Sequence, residues 1–351
     1  MLFAKKKDLI GVDVGSTSVK LVQLRAIKGG YELESIGLAP LPPEAIVDNS
    51  LMNTTAIVEA ISSLIDGLAQ RKVRDVASSV SGNSVIIRKI VMTASTPEEV
   101  EAEIQWEAEQ YIPFDINDVN MDFQALGNDE NDPSKMQVLL VASKKDIVND
   151  YQAIFSEAGV KLVLLDVDAF AAQNAFEMNY DIDPDEVYAL INIGSSMMNL
   201  NVMKDGISLF IRDVQLGGAL YTEDLQKKLG ISFDEAERVK MTITESSSDE
   251  LLESMNRINN TIAYEIRRSL DFYNSNALEG KIGRVYLSGG VARSINLANA
   301  ISEILSLPVE IINPLAKIRF NDKLFDPKFL NEVAPVMTVA VGLAGRRLGD
   351  K

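Results

Sequence analysis

The 351-residue sequence contains no cysteine and no histidine. The first absence excludes disulfides, thiolate nucleophiles and cysteine-based metal sites. The second removes the usual general base and the commonest transition-metal ligand. Chemistry here is left to carboxylates, backbone amides, lysine, arginine and a hard cation such as Mg²⁺. Long apolar runs are missing too: none approaches the roughly 18 residues that a membrane helix needs. The basic start, Met1-Leu-Phe-Ala-Lys-Lys-Lys7, leads directly into a strand pattern with no signal-peptide core, so a cytoplasmic location without direct membrane insertion is expected. Positive charge is scarce, with 34 Lys and Arg against 51 Asp and Glu and a net charge of −17. That balance argues against nucleic acid, whose phosphates call for clustered basic residues, and suits contact with basic protein segments. Apolar residues, at 46%, suffice to fill two compact lobes.

The opening reads as a meander: strands over Leu9–Val14, Val19–Arg25 and Tyr31–Gly37, with turns at Gly15–Ser18 and Gly29–Gly30. Residues 54–71 carry Ile57, Ile61, Leu64, Ile65 and Leu68 at helical spacing, and 73–91 return to strand character. Thr96, Pro97 and Glu99 form a capping box for a helix with Val100, Ile104, Ala108 and Tyr111 on one face, stopped by Pro113. Trp106 lies off that stripe and is the residue expected to face outward, whereas Ile104 and Tyr111 are expected in the core. Strands at 117–126 and 136–143, a helix at 145–158, a strand at 160–166 and a helix from about Ala169 follow. Near residue 188 the opening pattern returns. Asp13-Val-Gly-Ser-Thr17 matches Asn192-Ile-Gly-Ser-Ser196 position for position, 179 residues on, and we read this as an internal duplication giving two related lobes with a cleft between them. Helices at 220–229, 233–244 and 250–277 follow, then a strand–Gly-Gly–helix–strand unit at 285–312 and a small-residue helix over 335–348.

The first hairpin carries the main chemical signal. Asp13 stands at a strand end, and the amides of the Gly15–Ser16–Thr17 turn can wrap an anion. Lys20 supplies positive charge, and Asp13 could hold Mg²⁺ through waters. An ordinary capped turn has the same composition; the pairing with Gly194 and Ser195 in the second hairpin favours a phosphate cleft. Gly289 and Gly290 permit close approach of backbone to a ligand. Glu237 and Lys240 could hold a ribose and flank a purine, although such a pair on a helix also fits a solvated face.

The order of these pieces resembles the actin, Hsp70 and sugar-kinase superfamily. Within it the sequence resembles the PilM family of type IV pilus assembly, itself similar to the division protein FtsA. The resemblance rests on Asp8-Leu-Ile-Gly-Val-Asp-Val-Gly-Ser-Thr-Ser-Val-Lys20, on Ile104-Gln-Trp-Glu-Ala-Glu-Gln-Tyr-Ile-Pro-Phe114 with the strand Val119–Gln124, and on Asp168–Phe176. It implies an α/β, actin-like two-lobed fold with duplicated RNase H-like cores and an FtsA-like SHS2 insert. The expected division is 1–80 with 160–186 and 325–351 as the first lobe, 81–159 as the insert and 187–324 as the second lobe. It implies ATP with Mg²⁺ in the cleft: Gly15, Ser16, Thr17, Lys20, Gly194 and Ser195 on phosphates, Glu237, Lys240, Gly289 and Gly290 around the nucleoside, Asp13 and Asn192 toward the metal. It further implies a groove beside the insert for the N-terminal cytoplasmic peptide of the inner-membrane protein PilN, contact with the motor ATPases and platform protein, and assembly as a homo-oligomer or ring. Asn192 departs from the aspartate usual at that position, which is expected to weaken metal binding and hydrolysis. The alternatives are a small-molecule kinase of the superfamily, with Asp166 or Asp168 as the catalytic carboxylate, and an FtsA-like division filament. The terminal Arg346–Lys351 offers no amphipathic membrane helix for the latter.

Overall fold

The computed structural model describes residues 8–68, 74–129, 132–277 and 279–349. The meander forms as β1 (Ile10–Val14), β2 (Ser18–Ile27) and β3 (Gly30–Pro40). A small ribbon, β4 (Ile46–Val47) and β5 (Ser50–Leu51), leads to α1 (Thr54–Asp66). Asn53 caps this helix by accepting the Ala56 amide at 3.1 Å. The expected extension of α1 to residue 71 falls partly on 69–71, outside the described residues, as does Met1–Lys7. The strand character of 73–91 resolves into two strands of different sheets, β6 (Asp75–Val80) and β7 (Val85–Met92). Gly82, at φ 64°, turns the chain between them.

The insert continues with α2 (Pro97–Ala108), β8 (Val119–Asn128) and β9 (Met136–Lys144). Thr96 caps α2 by accepting the Glu99 amide, but the Glu99 carboxylate accepts from Ser95 N at 2.7 Å, so the box closes one residue earlier than the sequence pattern suggests. The three strands form an antiparallel sheet ordered β7-β9-β8. It encloses its own core with Val100, Ile104 and Ala108 of α2. Trp106 is 76% exposed, as expected; Tyr111 is 37% exposed, because the helix ends at Ala108 and carries Tyr111 past the core.

Next come α3 (Lys145–Glu157), β10 (Lys161–Val167) and α4 (Asp168–Asn179). Although α3 follows the insert's last strand, its buried Tyr151, Ile154 and Phe155 pack with β1, β2 and α1. The second half comprises β11 (Val187–Ile193), β12 (Met198–Lys204), β13 (Ile207–Val214), α5 (Ala219–Leu229), α6 (Phe233–Thr242), α7 (Asp249–Asn276), β14 (Ile282–Ser288), α8 (Leu297–Leu305), β15 (Val309–Ile311), α9 (Pro327–Val333) and α10 (Thr338–Gly345). The short α9 has no counterpart in the sequence reading.

The two large sheets are ordered β10-β6-β1-β2-β3 and β13-β12-β11-β14-β15. Each is an antiparallel meander of three strands extended by two parallel strands on the side of its first strand. The duplication read from the hairpins thus extends to whole-sheet topology. Register repeats as well: Asp13 faces Lys20 across β1–β2, and Asn192 faces Asn199 across β11–β12, again 179 residues on. Between the sheets lie α4 and α10. Ala171 and Ala172 of α4 pack against Val339 and Leu343 of α10, while Phe176 of α4 enters an aromatic cluster with Tyr188 and Tyr286 of the second sheet. No helix among the described residues is long and apolar enough to cross a membrane.

Candidate functional site: a cleft between paired hairpins

Both hairpin turns close on the same hydrogen bond. Gly15 N donates to Ser18 O at 3.1 Å and Gly194 N to Met197 O at 2.9 Å. The tips meet, with Ser196 Oγ donating to Ser16 Oγ at 3.0 Å. A cavity of ≈ 90 Å³ lies between them, lined by Asp13, Gly15, Ser16, Thr17 and Lys20 from one side and by Asn192, Gly194, Ser195 and Asn199 from the other. Eight of the residues singled out in sequence therefore converge. Lys20 Nζ stands 3.1 Å from Asp13 Oδ2, both largely shielded from solvent. A Cβ on residue 15 would lie 2.6 Å from that ammonium, so glycine lets Lys20 cross the turn.

Glu237, Lys240, Gly289 and Gly290 do not line this cavity; the first three gather around the base of the second hairpin. Lys240 Nζ donates to Thr222 Oγ1 at 2.9 Å, to Gly218 O at 3.4 Å and to Glu237. Gly218 N in turn donates to Gly194 O at 2.9 Å. Gly289 has φ 88°, and a Cβ there would sit 2.4 Å from Ile193 O; only glycine fits that approach. Gly290 is exposed with open space around it.

Several residues of the cleft were not foreseen. Ser79 and Ser81, at the end of β6, are among them; they face the cavity together with Asp168 at the start of α4, the carboxylate that the sequence offered only for the kinase alternative. Ser79 Oγ donates to Asp168 Oδ1 at 2.6 Å. Burial, reinforced by the charge of Asp13, pushes the Asp168 carboxyl up from 3.8 to about 6. Burial likewise raises the Tyr151 phenol, which reaches the cavity from α3. Asn199 could have been found by applying the 179-residue offset to Lys20. It completes a hydrogen-bonded chain: Ser288 Oγ donates to Asn192 Oδ1 at 3.2 Å, Asn192 Nδ2 to Asn199 Oδ1 at 3.2 Å, and Asn199 Nδ2 to Asp213 Oδ1 at 2.8 Å. The other Asp213 oxygen accepts from Gly82 N, across the cleft at the entrance to the insert. Burial raises the Asp213 carboxyl too.

A second concavity, of ≈ 470 Å³, lies between the face of the insert's sheet and β10–α4. Leu139, Val141, Val163, Leu165 and Phe170 supply apolar walls, with Asp166, Asn174 and Arg346 among the polar ones. Asp166 Oδ2 is 3.3 Å from Arg346, and burial raises its carboxyl despite that cation. Asn174 Nδ2 is buried with no acceptor.

Comparison with known proteins gives a consistent result. The family model described as type IV pilus assembly protein PilM matches residues 11–348. The PilM-PilN type IV pilus biogenesis complex contains a chain 27% identical to this one, with 97% of this chain and 99% of that chain covered at a TM-score of 0.87. Cell division protein FtsA of Bacillus subtilis (strain 168) is 23% identical over 393 residues, covering 97% of this chain and 86% of that protein. MreB 5 of Spiroplasma citri bound to AMPPNP aligns at a TM-score of 0.54 and 13% identity, over 97% and 95% of the two chains, and shares the fold.

Proposed function

The chain belongs to the PilM family of type IV pilus assembly proteins, and from that premise we propose that it is an ATP-binding adaptor of the pilus inner-membrane complex. The observation that carries the nucleotide reading is the convergence of two duplicated glycine hairpins on one cavity, with Lys20 as the cation between them. Turn amides and an ammonium are the donors that polyphosphate oxygens require. The Spiroplasma citri relative of the same fold was solved with AMPPNP.

The donor set also fits Mg²⁺. Asp13, Asp168 and Asp213 crowd one another closely enough that Asp13 and Asp213 both raise the Asp168 carboxyl, and a dication would relieve that repulsion. Among the described residues no three carboxylates form a protein-only cage, so phosphate and water oxygens would complete the shell. Bound there, the metal would neutralise phosphate charge. Asp13 would hold its waters and Lys20 would turn from Asp13 toward phosphate. Asn192 is committed at both ends of its amide and brings no charge, so ATP acts as a ligand that sets the lobe arrangement rather than as a fuel. Since Ser16 and Ser196 touch, the lobes would part for the triphosphate to enter.

The groove between the insert and β10–α4 is the proposed seat of the PilN peptide, with Phe170 and Val141 taking its apolar side chains and Asn174 Nδ2 meeting a peptide carbonyl. Calorimetric titration tests both sites. Lys20→Ala is expected to weaken ATP–Mg²⁺ binding by about tenfold or more, the value of a charge-assisted bond, while leaving PilN-peptide affinity unchanged. Phe170→Asp is expected to do the reverse, with at least a tenfold loss for the peptide. Loss of neither ligand's binding in its own variant would overturn the assignment of that site.

A further inference from the structure

A third concavity adjoins the hairpin cleft, sharing Met197 with it, and its walls have a specific character. Of ≈ 380 Å³, it is lined by Val85, Ile87 and Arg88 of β7 on one side and by Ile211–Val214 of β13 on the other. β7 is the outermost strand of the insert's sheet, and β13 is the outermost strand of the second lobe's sheet. Neither β9 nor β12, the strands behind them, contributes to the lining. The gap therefore lies along two sheet edges rather than over a sheet face. Contacts flank the 85–88 stretch: Gly82 N to Asp213 joins the two edges at one end, and at the other Lys89 Nζ reaches Glu279 Oε1, in the connection between α7 and β14, at 3.3 Å.

An open edge presents a row of backbone donors and acceptors that a further strand can satisfy. Both edges are rich in β-branched residues, as Val85-Ile-Ile87 and Ile211 show, and neither strand contains proline. At about 3.3 Å per residue, residues 85–88 match an extended segment of three to four residues. Charge narrows the choice further. Lys89 is paired with Glu279 and Arg212 with Glu265, whereas exposed Arg88 lines the gap with its guanidinium bonded, among the described residues, to the Ile87 carbonyl alone. On a chain of net charge −17, a cation without a carboxylate partner beside an open backbone edge selects an acidic side chain.

We infer that this gap is a second peptide-docking site, which takes an extended partner segment carrying an acidic side chain and adds it as a strand between β7 and β13. The site uses the edge of the insert's sheet, whereas the proposed PilN groove uses its face, so the two can be occupied together. Because β7 and β13 belong to different lobes, the site is tested on the nucleotide-free chain, in the lobe arrangement described above.

The test is selection of displayed random twelve-residue peptides on the full-length chain, counter-selected against the full-length Arg88→Glu variant, whose exposed substitution leaves the core untouched. Enriched peptides should alternate apolar and polar residues around an Asp or Glu. They should slow amide exchange in both 85–88 and 211–214, lose at least tenfold in affinity on Arg88→Glu, and recover it when their acidic residue is changed to Lys. Enriched peptides that bind Arg88→Glu as tightly as the unaltered chain, or that protect only one of the two edges, would overturn the inference. Failure to enrich any peptide dependent on Arg88 would overturn it equally.

Discussion

Replacing Gly342 by alanine is expected to destabilise the fold by about 3 kcal/mol or more, seen as a lowered denaturant midpoint and thermal midpoint. A Cβ at that position would lie 1.7 Å from Ala171 O and 2.6 Å from the carbonyl carbon behind it. Both atoms are backbone, so no rotamer change relieves the overlap; α10 and α4 must move apart. They have little room, because α10 is also pressed onto β1, where a Cβ on Gly11 would meet Ala340 O at 2.2 Å. Moving α10 off α4 drives it into the first sheet or opens the Ala171, Val339 and Leu343 core. The helix propensity gained by alanine over glycine, about 1 kcal/mol, does not offset that. Gly290→Ala serves as the control, since nothing lies within 4 Å of its Cβ. Equal stability of Gly342→Ala and the unaltered chain would mean that the two helices pack less closely than described.

Gly342 belongs to the part of the fold that was legible beforehand: a run of small residues with Val339, Ala344 and Gly345 reads as a close-packing helix from composition alone. The duplicated hairpins were legible for a similar reason, since a turn that bends backbone around an anion needs glycine and short polar residues locally, and the offset of 179 residues revealed the second copy. What escaped the sequence is whatever depends on strand ends meeting from distant parts of the chain. Ser79 and Ser81 looked like ordinary strand residues until β6 was placed beside β1. Asp168 was legible only as a helix-start or kinase carboxylate; its crowding with Asp13 and Asp213 comes from three separate elements. The packing of α3 with the first sheet was equally hidden, because its apolar spacing marks a buried face without saying which core buries it.

The first hairpin of each lobe repeats exactly in register but not in charge. The first lobe crosses its hairpin with the ion pair Asp13–Lys20, the second with the amide pair Asn192–Asn199. An amide both accepts and donates, which lets Asn192 take the Ser288 hydroxyl and pass a donor on to Asn199. Asn199 then donates to Asp213, and Asp213 accepts from Gly82. An aspartate at 192 could not donate to Asn199 in this arrangement. The residue that departs from the expected aspartate thus belongs to a connected set of contacts running from the second hairpin to the insert.

Asp168→Asn is expected to stabilise the nucleotide-free protein at pH 7.5 by about 1–3 kcal/mol, at one to two pK units of penalty removed. The Asp168 carboxyl sits at about 6 in the folded chain against 3.8 ordinarily, so between those values the folded state holds more protons than the unfolded one. Stability consequently falls as pH rises through that window, and the full penalty stands above about pH 6. Asparagine removes the charge but keeps an oxygen for the Ser79 hydroxyl, so the advantage of the variant should appear above pH 6 and vanish below about pH 4. Denaturant unfolding of both proteins across that range, read as their difference, cancels other carboxylates such as Asp166. With ATP and Mg²⁺ present the advantage should shrink, because a dication near Asp13 and Asp168 removes the repulsion that raises the carboxyl. A variant less stable than the unaltered chain at pH 7.5 would show that the hydrogen bonds from Ser79 and Ser81 outweigh burial, and that the cleft holds Asp168 charged without a metal.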